Sequence, residues 1–264
     1  MLMDVDRLRQ CLGPVGHRVD VDVLADCSST SSVLLERAVL GAASGSVLVA
    51  DRQTAGRGRR GRVWLSAPET SLTFSLLWRF DPRQTPLAGL SLAIGVGVKR
   101  ALDALGVDGV ALKWPNDVLR RRADGLGKLA GVLIELSTDR RGVAAVIGVG
   151  INLDVPPDHA GLEFPAAGLA QPGHVSPDRH AVLAALLGEL VDVLDRFSRD
   201  GFAVFLDEWS RAHAFAGERV RLLEDGRETV AGLCRGVDAD GALLVETVDG
   251  TVRCLSGDVS VRTA

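Results

Sequence analysis

The alternation of apolar and polar positions divides the chain into a long region of mixed helices and strands and a short region of strands alone. Apolar residues recur at helical spacing from Leu90 to Leu105, and amphipathic patterns predict two further helices over residues 179–199 and 201–214. A hydroxyl-rich run before an apolar-periodic stretch predicts a helix start near Ser31. Apolar or alternating runs predict strands at residues 20–24, 46–50, 71–78, 110–113, 128–136 and 143–152.

From Gly217 onward the pattern changes to short alternating segments separated by turns that contain aspartate and glycine. The predicted strands are residues 219–223, 229–234, 242–246 and 252–255. This rhythm of strand and turn predicts a small antiparallel barrel of about fifty residues. We therefore expect a main domain over residues 1–214 and a second domain over residues 215–264. A loop rich in proline, glycine and histidine is predicted over residues 156–177.

Composition excludes several classes of protein. The chain has 264 residues, 47% hydrophobic and 24% charged, which is typical of a folded globular protein. Its 30 lysine and arginine residues against 34 aspartate and glutamate residues give a net charge of −4, which argues against a globally basic nucleic-acid binder. The charged N-terminus does not resemble a signal peptide, no apolar run is long enough for a membrane span, and the four cysteines form no CxxC pair. A cytoplasmic protein with reduced thiols is expected.

The sharpest local signal is a loop of glycine and arginine over residues 56–62, with the sequence GRGRRGR. Its glycine spacing matches a dinucleotide-binding turn, but the chain continues through Pro68 into a strand instead of a helix, so we reject that interpretation. Arginine forks on a flexible backbone suit the capture of a polyanion. A solvated basic loop and a nucleic-acid-binding arm stay open as alternatives for this segment alone. Because ordering costs about 1–2 kcal/mol per residue, a polyanion-binding loop is expected to be mobile when empty and ordered by its ligand.

A second signal is the run KWPND, from Lys113 to Asp117. Proline cannot extend a central strand, so the run is predicted at a strand end, with side chains that face a cleft. A lysine and a carboxylate placed together suit a site where a phosphoryl group and an amine meet. Taken alone, a strand-ending turn with an Asn/Asp cap is the more common explanation.

Two apolar strands carry the remaining signals. Lys128 enters the first strand and Gly131 lies inside it, which indicates an anion partner and a close approach to the backbone. An edge strand with a protective lysine is the alternative. The second strand ends in GVGIN, where the buried Asn152 must find a hydrogen-bond partner.

In their order and spacing these segments together resemble the catalytic domain of biotin protein ligases. The resemblance rests on Ser29-Thr30 before a helix, Gln53-Thr54-Ala55-GRGRRGR-Val63-Trp64, KWPND, GKLAGVLIE, GVGIN, and terminal segments around Arg235 and Gly241. It covers most of the chain, from about Val21 to Arg262. The implied fold is α+β, a biotin ligase-like catalytic domain whose mixed, largely antiparallel sheet is like that of class II aminoacyl-tRNA synthetases, followed by a small SH3-like C-terminal β-barrel.

The resemblance implies ATP-dependent activation of biotin to biotinyl-5′-AMP and transfer of biotin to one lysine of a biotin carboxyl carrier domain, in acetyl-CoA carboxylase or a related carboxylase. The alternatives are a lipoate or octanoate ligase of related fold and, from another class, a nucleic-acid-binding protein. Mg²⁺ is expected with ATP, and its ligands are unknown. No membrane and no DNA partner is expected, since the residues before Ser28 leave no room for a winged helix-turn-helix. A homodimer and a monomer both stay open.

The resemblance also assigns residues to roles by position. The biotin-binding set is Ser29, Thr30, Ser31, Gln53, Arg57, Gly58, Arg59, Lys128, Gly131 and Val132. The ATP- and adenylate-binding set is Arg57, Arg59, Arg60, Arg62, Trp64, Asn116, Asn152 and Arg235. The implied catalytic residues are Lys128 and Arg59 at the α-phosphate, Lys113 as a phosphate partner, and Asp117 as the hydrogen-bond acceptor for the incoming amine. Ser31 stands where the family commonly has asparagine, and it lacks an amide's paired donor and acceptor.

Overall fold

The structure is a computed structural model that describes residues 3–68, 70–81, 86–155, 165–170, 178–224, 227–255 and 259–263. Most of the loop predicted over residues 156–177, and the turn residues 225–226, lie outside the described residues. The helices are α1 (Val5–Leu12), α2 (Thr30–Val39), α3 (Leu90–Ala104), α4 (Arg179–Asp200) and α5 (Leu206–Ala212). The strands are β1 (Asp20–Cys27), β2 (Ser46–Gln53), β3 (Ser71–Phe80), β4 (Val110–Lys113), β5 (Asp117–Arg122), β6 (Gly125–Asp139), β7 (Gly142–Asn152), β8 (Arg219–Glu224), β9 (Arg227–Val237), β10 (Leu243–Thr247), β11 (Gly250–Cys254) and β12 (Val259–Thr263).

Seven strands form the large sheet in the order β1-β2-β3-β7-β6-β5-β4. β1 and β2 are parallel, and the other neighbouring pairs are antiparallel. The prediction of a mixed, largely antiparallel sheet is therefore confirmed. β6 lies inside the sheet between β7 and β5, so the alternative of an edge strand protected by Lys128 is wrong. The sequence pattern missed β5, the strand that pairs with β6 on the side opposite β7.

The two faces of the large sheet have different partners. α1, α3 and α4 contribute to the main hydrophobic core on one face, together with Leu72, Phe74 and Leu76 of β3. α2 packs on the opposite face, where its residues Leu34 and Ala38 contact β3 and β7 in a smaller apolar cluster. Since β3 alternates large apolar residues with Thr73 and Ser75, its hydroxyls point to the α2 face.

Local sequence predicts where α2 begins but not how long α5 is. α2 starts at Thr30 with Ser29 as its N-cap residue, as the hydroxyl-rich run predicts. The helix predicted over residues 201–214 is shorter than expected, because a 3-10 turn precedes α5 and the chain leaves the helix after Ala212. There the Ala214 N–H donates to the Leu112 carbonyl at 2.8 Å, which draws this segment against β4.

Five strands at the C-terminal end form a small sheet in the order β11-β10-β9-β8-β12, with antiparallel neighbours throughout. The predicted small antiparallel C-terminal sheet is thus confirmed. The Trp114 Nε1–H donates to the Gly241 carbonyl at 3.0 Å, so a buried indole joins this sheet to the turn between β4 and β5. None of the described helices is both long and apolar enough to cross a membrane.

Candidate active site

Three glycines of β6 and β7 form a glycine floor on the face of the sheet that α2 partly covers. Gly131 lies opposite Gly150, and Gly148 follows on the same face of β7. A Cβ atom added to Gly148 would lie 2.6 Å from Ser31 Oγ, and one added to Gly150 would lie 2.3 Å from the Trp64 ring. Both positions therefore need glycine. Bare backbone of this kind is found where a ligand approaches a sheet closely.

Hydroxyl and amide groups line one side of the glycine floor. Ser75 lies beside Gly148, and its Oγ donates to Thr30 Oγ1 at 2.8 Å and lies 3.0 Å from Ser31 Oγ. At the end of β2, Gln53 Oε1 accepts a hydrogen bond from the Thr30 backbone N–H at 2.7 Å. The serine and threonine side chains here are buried. A neutral set of donors and acceptors suits a neutral polar ligand group, because burying a charge is costly without a partner.

A carboxylate held between two lysines lies next to the glycine floor. Lys113 ends β4 and Asp117 begins β5, where Asp117 pairs with Gly131 of β6. Lys128 Nζ lies 2.6 Å from one Asp117 carboxylate oxygen, and Lys113 Nζ lies 3.4 Å from the other. The Lys113 side chain is 2% exposed and the Lys128 side chain is 24% exposed. Lys128 is therefore the ammonium group that a ligand can reach.

The pKa of the Asp117 carboxyl is lowered although the group is buried. Burial alone raises this pKa, but the charges of Lys128 and Lys113, and their hydrogen bonds, outweigh the effect of burial. The carboxylate thus stays ionised at neutral pH. Two ammonium groups and one carboxylate leave one net positive charge beside the floor, which attracts an anion.

The loop rich in arginine, residues 56–64, folds over this face as a narrow turn that we call the arginine loop. Arg57 and Val63 form an isolated antiparallel bridge, and the Gly58 N–H donates to the Arg62 carbonyl at 2.7 Å. Arg60, at the tip, adopts a left-handed backbone with φ of 60°. The arginines of this loop and Leu133 of β6 line an open cavity of about 480 Å³.

Two arginines of the loop extend in different directions. Arg59 Nη1 donates to Asn116 Oδ1 at 3.3 Å, next to the lysine–aspartate cluster. Arg57 Nη1 donates to Ser32 Oγ of α2 at 2.9 Å, and its other terminal nitrogen forms an ion pair with Glu135 of β6. The loop is therefore held to three separate elements, α2, β6 and the turn before β5.

Trp64 covers the glycine floor with its indole ring. The ring lies against Gly150 and Gly131, and Lys128 Nζ lies 5.8 Å from the ring centroid. Its Nε1–H is buried and has no hydrogen-bond partner among the residues that the structure describes. A buried donor without a partner is costly, so this indole is poised to donate to a ligand group.

Two of the residues predicted for ligand binding, Asn116 and Asn152, donate side-chain hydrogen bonds to the protein backbone. Asn116 Nδ2 donates to the Val132 carbonyl at 2.7 Å, while the Val132 side chain packs in the main core. Asn152 Nδ2 donates to the carbonyls of Lys128 and Ala167 at 3.1 and 3.0 Å. These amides fix the backbone on both sides of the lysine–aspartate cluster.

The structure does not bring every predicted residue to the floor. Arg235 lies on β9 with a side chain that is 53% exposed, and it forms an ion pair with Glu246 of β10. Arg62 lies at the exposed end of the arginine loop. The roles assigned to these two arginines stay predictions.

Sequence reasoning missed four residues that border the site. Thr73 and Ser75 lie across from Gly150 and Gly148, and the alternation of hydroxyls with large apolar residues in β3 is the signal that would have found them. Ser32 and Glu135 bind Arg57. Their only sequence signal is position, in the hydroxyl-rich run and at the end of GKLAGVLIE.

Two family models match this architecture. Residues 24–152, which include the glycine floor, the lysine–aspartate cluster and the arginine loop, match the Biotin/lipoate A/B protein ligase family. Residues 215–262, which form the small sheet, match the Biotin protein ligase C terminal domain. The fold and site thus define a protein ligase with a catalytic α+β region followed by a small β domain.

Individual relatives narrow this class. The bifunctional ligase/repressor BirA of Escherichia coli (strain K12) is 37% identical over 247 residues, 92% of this chain and 74% of that protein. The biotin--[acetyl-CoA-carboxylase] ligase of Mycobacterium tuberculosis is 34% identical over 273 residues, 98% of each chain. The biotin protein ligase from Aquifex aeolicus, solved in complex with biotin and ATP, superposes with a TM-score of 0.80 at 33% identity and covers 93% of this chain and 99% of that one. The chain belongs to the biotin protein ligase family.

Proposed function

We propose that the chain activates biotin with ATP to biotinyl-5′-AMP and then transfers biotin to a lysine of a biotin carboxyl carrier domain, in acetyl-CoA carboxylase or a related carboxylase. The observation that carries the proposal is the glycine floor, with neutral hydrogen-bonding groups at one side and the lysine–aspartate cluster beside Gly131. The lipoate or octanoate alternative has less support, because the relatives described above carry names of biotin ligases.

The biotin end of the site is proposed along the glycine floor. The ureido ring of biotin is neutral, and the neutral hydroxyl and amide groups near Gly148 match it. The residues proposed to contact biotin or shape its slot are Ser29, Thr30, Ser31, Gln53, Gly58, Gly131 and Val132, the last two through their backbones. Ser31 already lies within hydrogen-bond distance of Ser75, so we propose that it supports the hydroxyl groups that line one side of the glycine floor.

The first reaction step is proposed at the lysine–aspartate cluster. A biotin carboxylate oxygen attacks the α-phosphate of ATP, the P–O bond to the leaving group breaks, and pyrophosphate departs. Lys128 and Arg59 are proposed to stabilise the charge that develops at the α-phosphate, with the buried Lys113 behind them. Asp117 contacts both ammonium groups, so we propose that it positions the lysines. The role of Asp117 as hydrogen-bond acceptor for the incoming amine stays a second proposal.

The nucleotide end is proposed under the arginine loop. Arg57, Arg59, Arg60 and Arg62 line the open cavity. Arg59, Arg60 and Arg62 are proposed to face the phosphates of ATP when the site is filled, and Arg57, whose guanidinium binds Ser32 and Glu135, is proposed to hold the loop that carries them. Trp64 is proposed to lift from the glycines and cover the adenylate. Asn116, Asn152 and Arg235 remain proposed nucleotide-site residues, the two amides through the backbone that they hold.

The second step joins biotin to the carrier protein. The neutral lysine amine attacks the acyl carbon of the adenylate, an amide bond forms, and AMP leaves with the electrons of the broken acyl–phosphate bond. Exclusion of water by the arginine loop would prevent hydrolysis of the adenylate before the amine arrives. The division into a catalytic domain over residues 1–214 and a C-terminal domain over residues 215–264 is part of this proposal.

Mg²⁺ enters the proposal as a companion of ATP. Among the described residues no three histidine, cysteine, aspartate or glutamate side chains are grouped to hold a metal ion. Asp117, the acidic residue of the cluster, is already engaged by two lysines. Because Mg²⁺ commonly binds through substrate phosphates, we propose that it arrives on ATP.

A cytoplasmic location is proposed from the four free cysteines. No DNA partner and no membrane partner is proposed, and a homodimer stays open.

The proposal is tested by exchange of labelled pyrophosphate into ATP, with biotin, lipoate or octanoate as the acid. We expect exchange that depends on biotin, and biotin incorporation into a carrier domain that is lost when its acceptor lysine is replaced by arginine. Exchange supported equally by lipoate, or no exchange with biotin, would contradict the assignment.

A further inference from the structure

Arg57 is bound at a place that the proposed reaction does not use. Its guanidinium reaches away from the lysine–aspartate cluster to Ser32 on α2 and Glu135 on β6. The arginine two residues further on, Arg59, reaches toward Asn116 beside that cluster. One arginine of the loop therefore faces the reacting end of the site, and the other ties the loop to the sheet.

The partner of Arg57 is a half-satisfied carboxylate. The Glu135 side chain is 19% exposed, and its Oε1 pairs with Arg57. Its Oε2 is buried and has no hydrogen-bond partner among the described residues. When the loop opens, water would reach both oxygens, so the closed pair gains attraction but loses hydration. Because the two effects oppose each other, the Arg57–Glu135 pair holds the loop closed only weakly and breaks readily when the loop opens.

Ser32 gives Arg57 a second partner, on a different element from Glu135. It lies in the first turn of α2, directly after the buried hydroxyls Thr30 and Ser31 that border the glycine floor. Since Arg57 binds Ser32 and Glu135 through different terminal nitrogens, its guanidinium bridges α2 and β6 above the floor. The ligand slot lies between these two elements, so the bridge closes one side of it.

We propose that Ser32 and Glu135 form a latch for Arg57 that sets how long the arginine loop stays closed over the adenylate. The inference rests on the proposed function and names positioning residues: neither Ser32 nor Glu135 touches the reacting atoms. The latch controls the lifetime of the closed state, while the chemistry belongs to Lys128 and Arg59. Its loss therefore accelerates release of biotinyl-5′-AMP more than it slows formation.

The test compares Glu135→Gln and Ser32→Ala with the parent chain. Asp139→Asn is the matched control, because Asp139 lies on the same strand and pairs with Arg79 instead of the arginine loop. Single-turnover formation of labelled biotinyl-5′-AMP is measured at saturating biotin and ATP. Its release is then measured by rapid gel filtration after different delays, and tryptic cleavage in the arginine loop is followed in parallel.

We expect release of the adenylate to be at least fivefold faster for Glu135→Gln, and faster for Ser32→Ala, with formation within twofold of the parent rate. Cleavage of the loop should rise in the same order, and Asp139→Asn should change neither. The double variant Arg57→Glu/Glu135→Arg, which reverses the pair, should slow release again relative to Glu135→Gln.

Unchanged release and cleavage in both latch variants, in a parent chain that does form the adenylate, would overturn the latch and leave the proposed function intact. A parent chain that forms no adenylate would instead overturn the proposed function. If Glu135→Gln fails to fold, the surface variant Ser32→Ala decides the question alone.

Discussion

Asp117 contacts both lysines of the cluster and so links their positions. Its two oxygens contact different ammonium groups, and one of those lysines is almost completely buried. Removing the carboxylate would take a counter-charge away from a buried lysine, and the loss of one partner of a buried pair typically costs about 3–5 kcal/mol. The residue therefore affects stability and ligand charge balance together.

For Asp117→Asn we expect adenylate formation and transfer from preformed adenylate to fall by similar factors, about 100-fold, because Lys128 loses its position in both steps. Pyrophosphate exchange and single-turnover transfer to the carrier domain measure the two steps. Asp124→Asn, on the same hairpin and paired with Arg122 in solvent, is the control and should be near normal. A loss confined to transfer would contradict the positioning role and favour the other proposal, in which Asp117 accepts a hydrogen bond from the incoming amine.

At the scale of elements, β6 and β7 contribute one face to the main core and the other face to the candidate site. Their residues on one face belong to the main core, while Gly131, Gly148 and Gly150 lie on the opposite face without side chains, so that Trp64 and Ser31 lie directly against the backbone there. Gly131 and Gly150 face each other across the two strands, and Gly148 follows on the same face. Antiparallel register is what brings those positions together.

For Gly150→Ala we expect biotin affinity to fall at least tenfold, about 1.4 kcal/mol, because the new methyl group would project from the glycine floor into the space proposed for biotin, 2.3 Å from the present position of the Trp64 ring. Titration calorimetry with biotin measures the change. Gly188→Ala in α4, where the nearest atom to a new Cβ is 3.9 Å away, is the matched control. Affinity within twofold of the parent would show that the floor is not the biotin slot.

The sequence predicted most of the strands of the large sheet but not their order. Ser71–Phe80, Val110–Lys113 and the long strands after it are apolar enough to be recognised alone. β5 was missed because three of its six residues are arginines and its two apolar residues, Val118 and Leu119, are adjacent, so it shows no alternating pattern. α1 and β12 were also missed. Strand order depends on pairing between distant segments, which a local pattern does not contain.

The candidate site was predicted in its residue types and less well in its contacts. KWPND and GKLAGVLIE identified Lys113, Asp117 and Lys128 as chemistry-bearing residues, since such polar residues at strand ends need an explanation. That both lysines bind the same carboxylate depends on the register of β5 against β6. The contacts of Ser75 and Glu135 were beyond reach for the same reason, because their partners come from α2 and the arginine loop.

At the scale of the whole molecule, His213 marks the passage from the catalytic region to the small sheet. Its ring lies 4.5 Å from the ring of Trp209 and 6.4 Å from that of Phe215, centroid to centroid. Both ring nitrogens are buried and have no hydrogen-bond partner among the described residues. Burial lowers the pKa of His213 to about 4, so the folded protein keeps this imidazole neutral.

Stability is therefore expected to fall as pH falls from the ordinary histidine pKa of 6.5 toward 4, because the unfolded chain takes up a proton that the folded chain refuses. Between pH 7 and pH 5 this group alone should cost about 2 kcal/mol of unfolding free energy. Urea unfolding at both pH values measures the loss, which should shrink in His213→Leu and persist in His17→Gln, a change at an exposed histidine. An equal loss in His213→Leu would exclude His213 as its source.

The hydrogen bond from Trp114 to Gly241 has a consequence for building hybrid enzymes. Trp114 stands one residue after Lys113, and the Ser91 hydroxyl fixes the same turn by donating to the Pro115 carbonyl at 2.6 Å. Gly241 packs so tightly that a Cβ there would lie 2.8 Å from Gly89 Cα. A C-terminal module borrowed from a relative must therefore supply a glycine and a free carbonyl at this point. Truncation before Gly241 would remove the hydrogen-bond acceptor of the Trp114 indole, and the residue before Trp114 is Lys113 of the lysine–aspartate cluster.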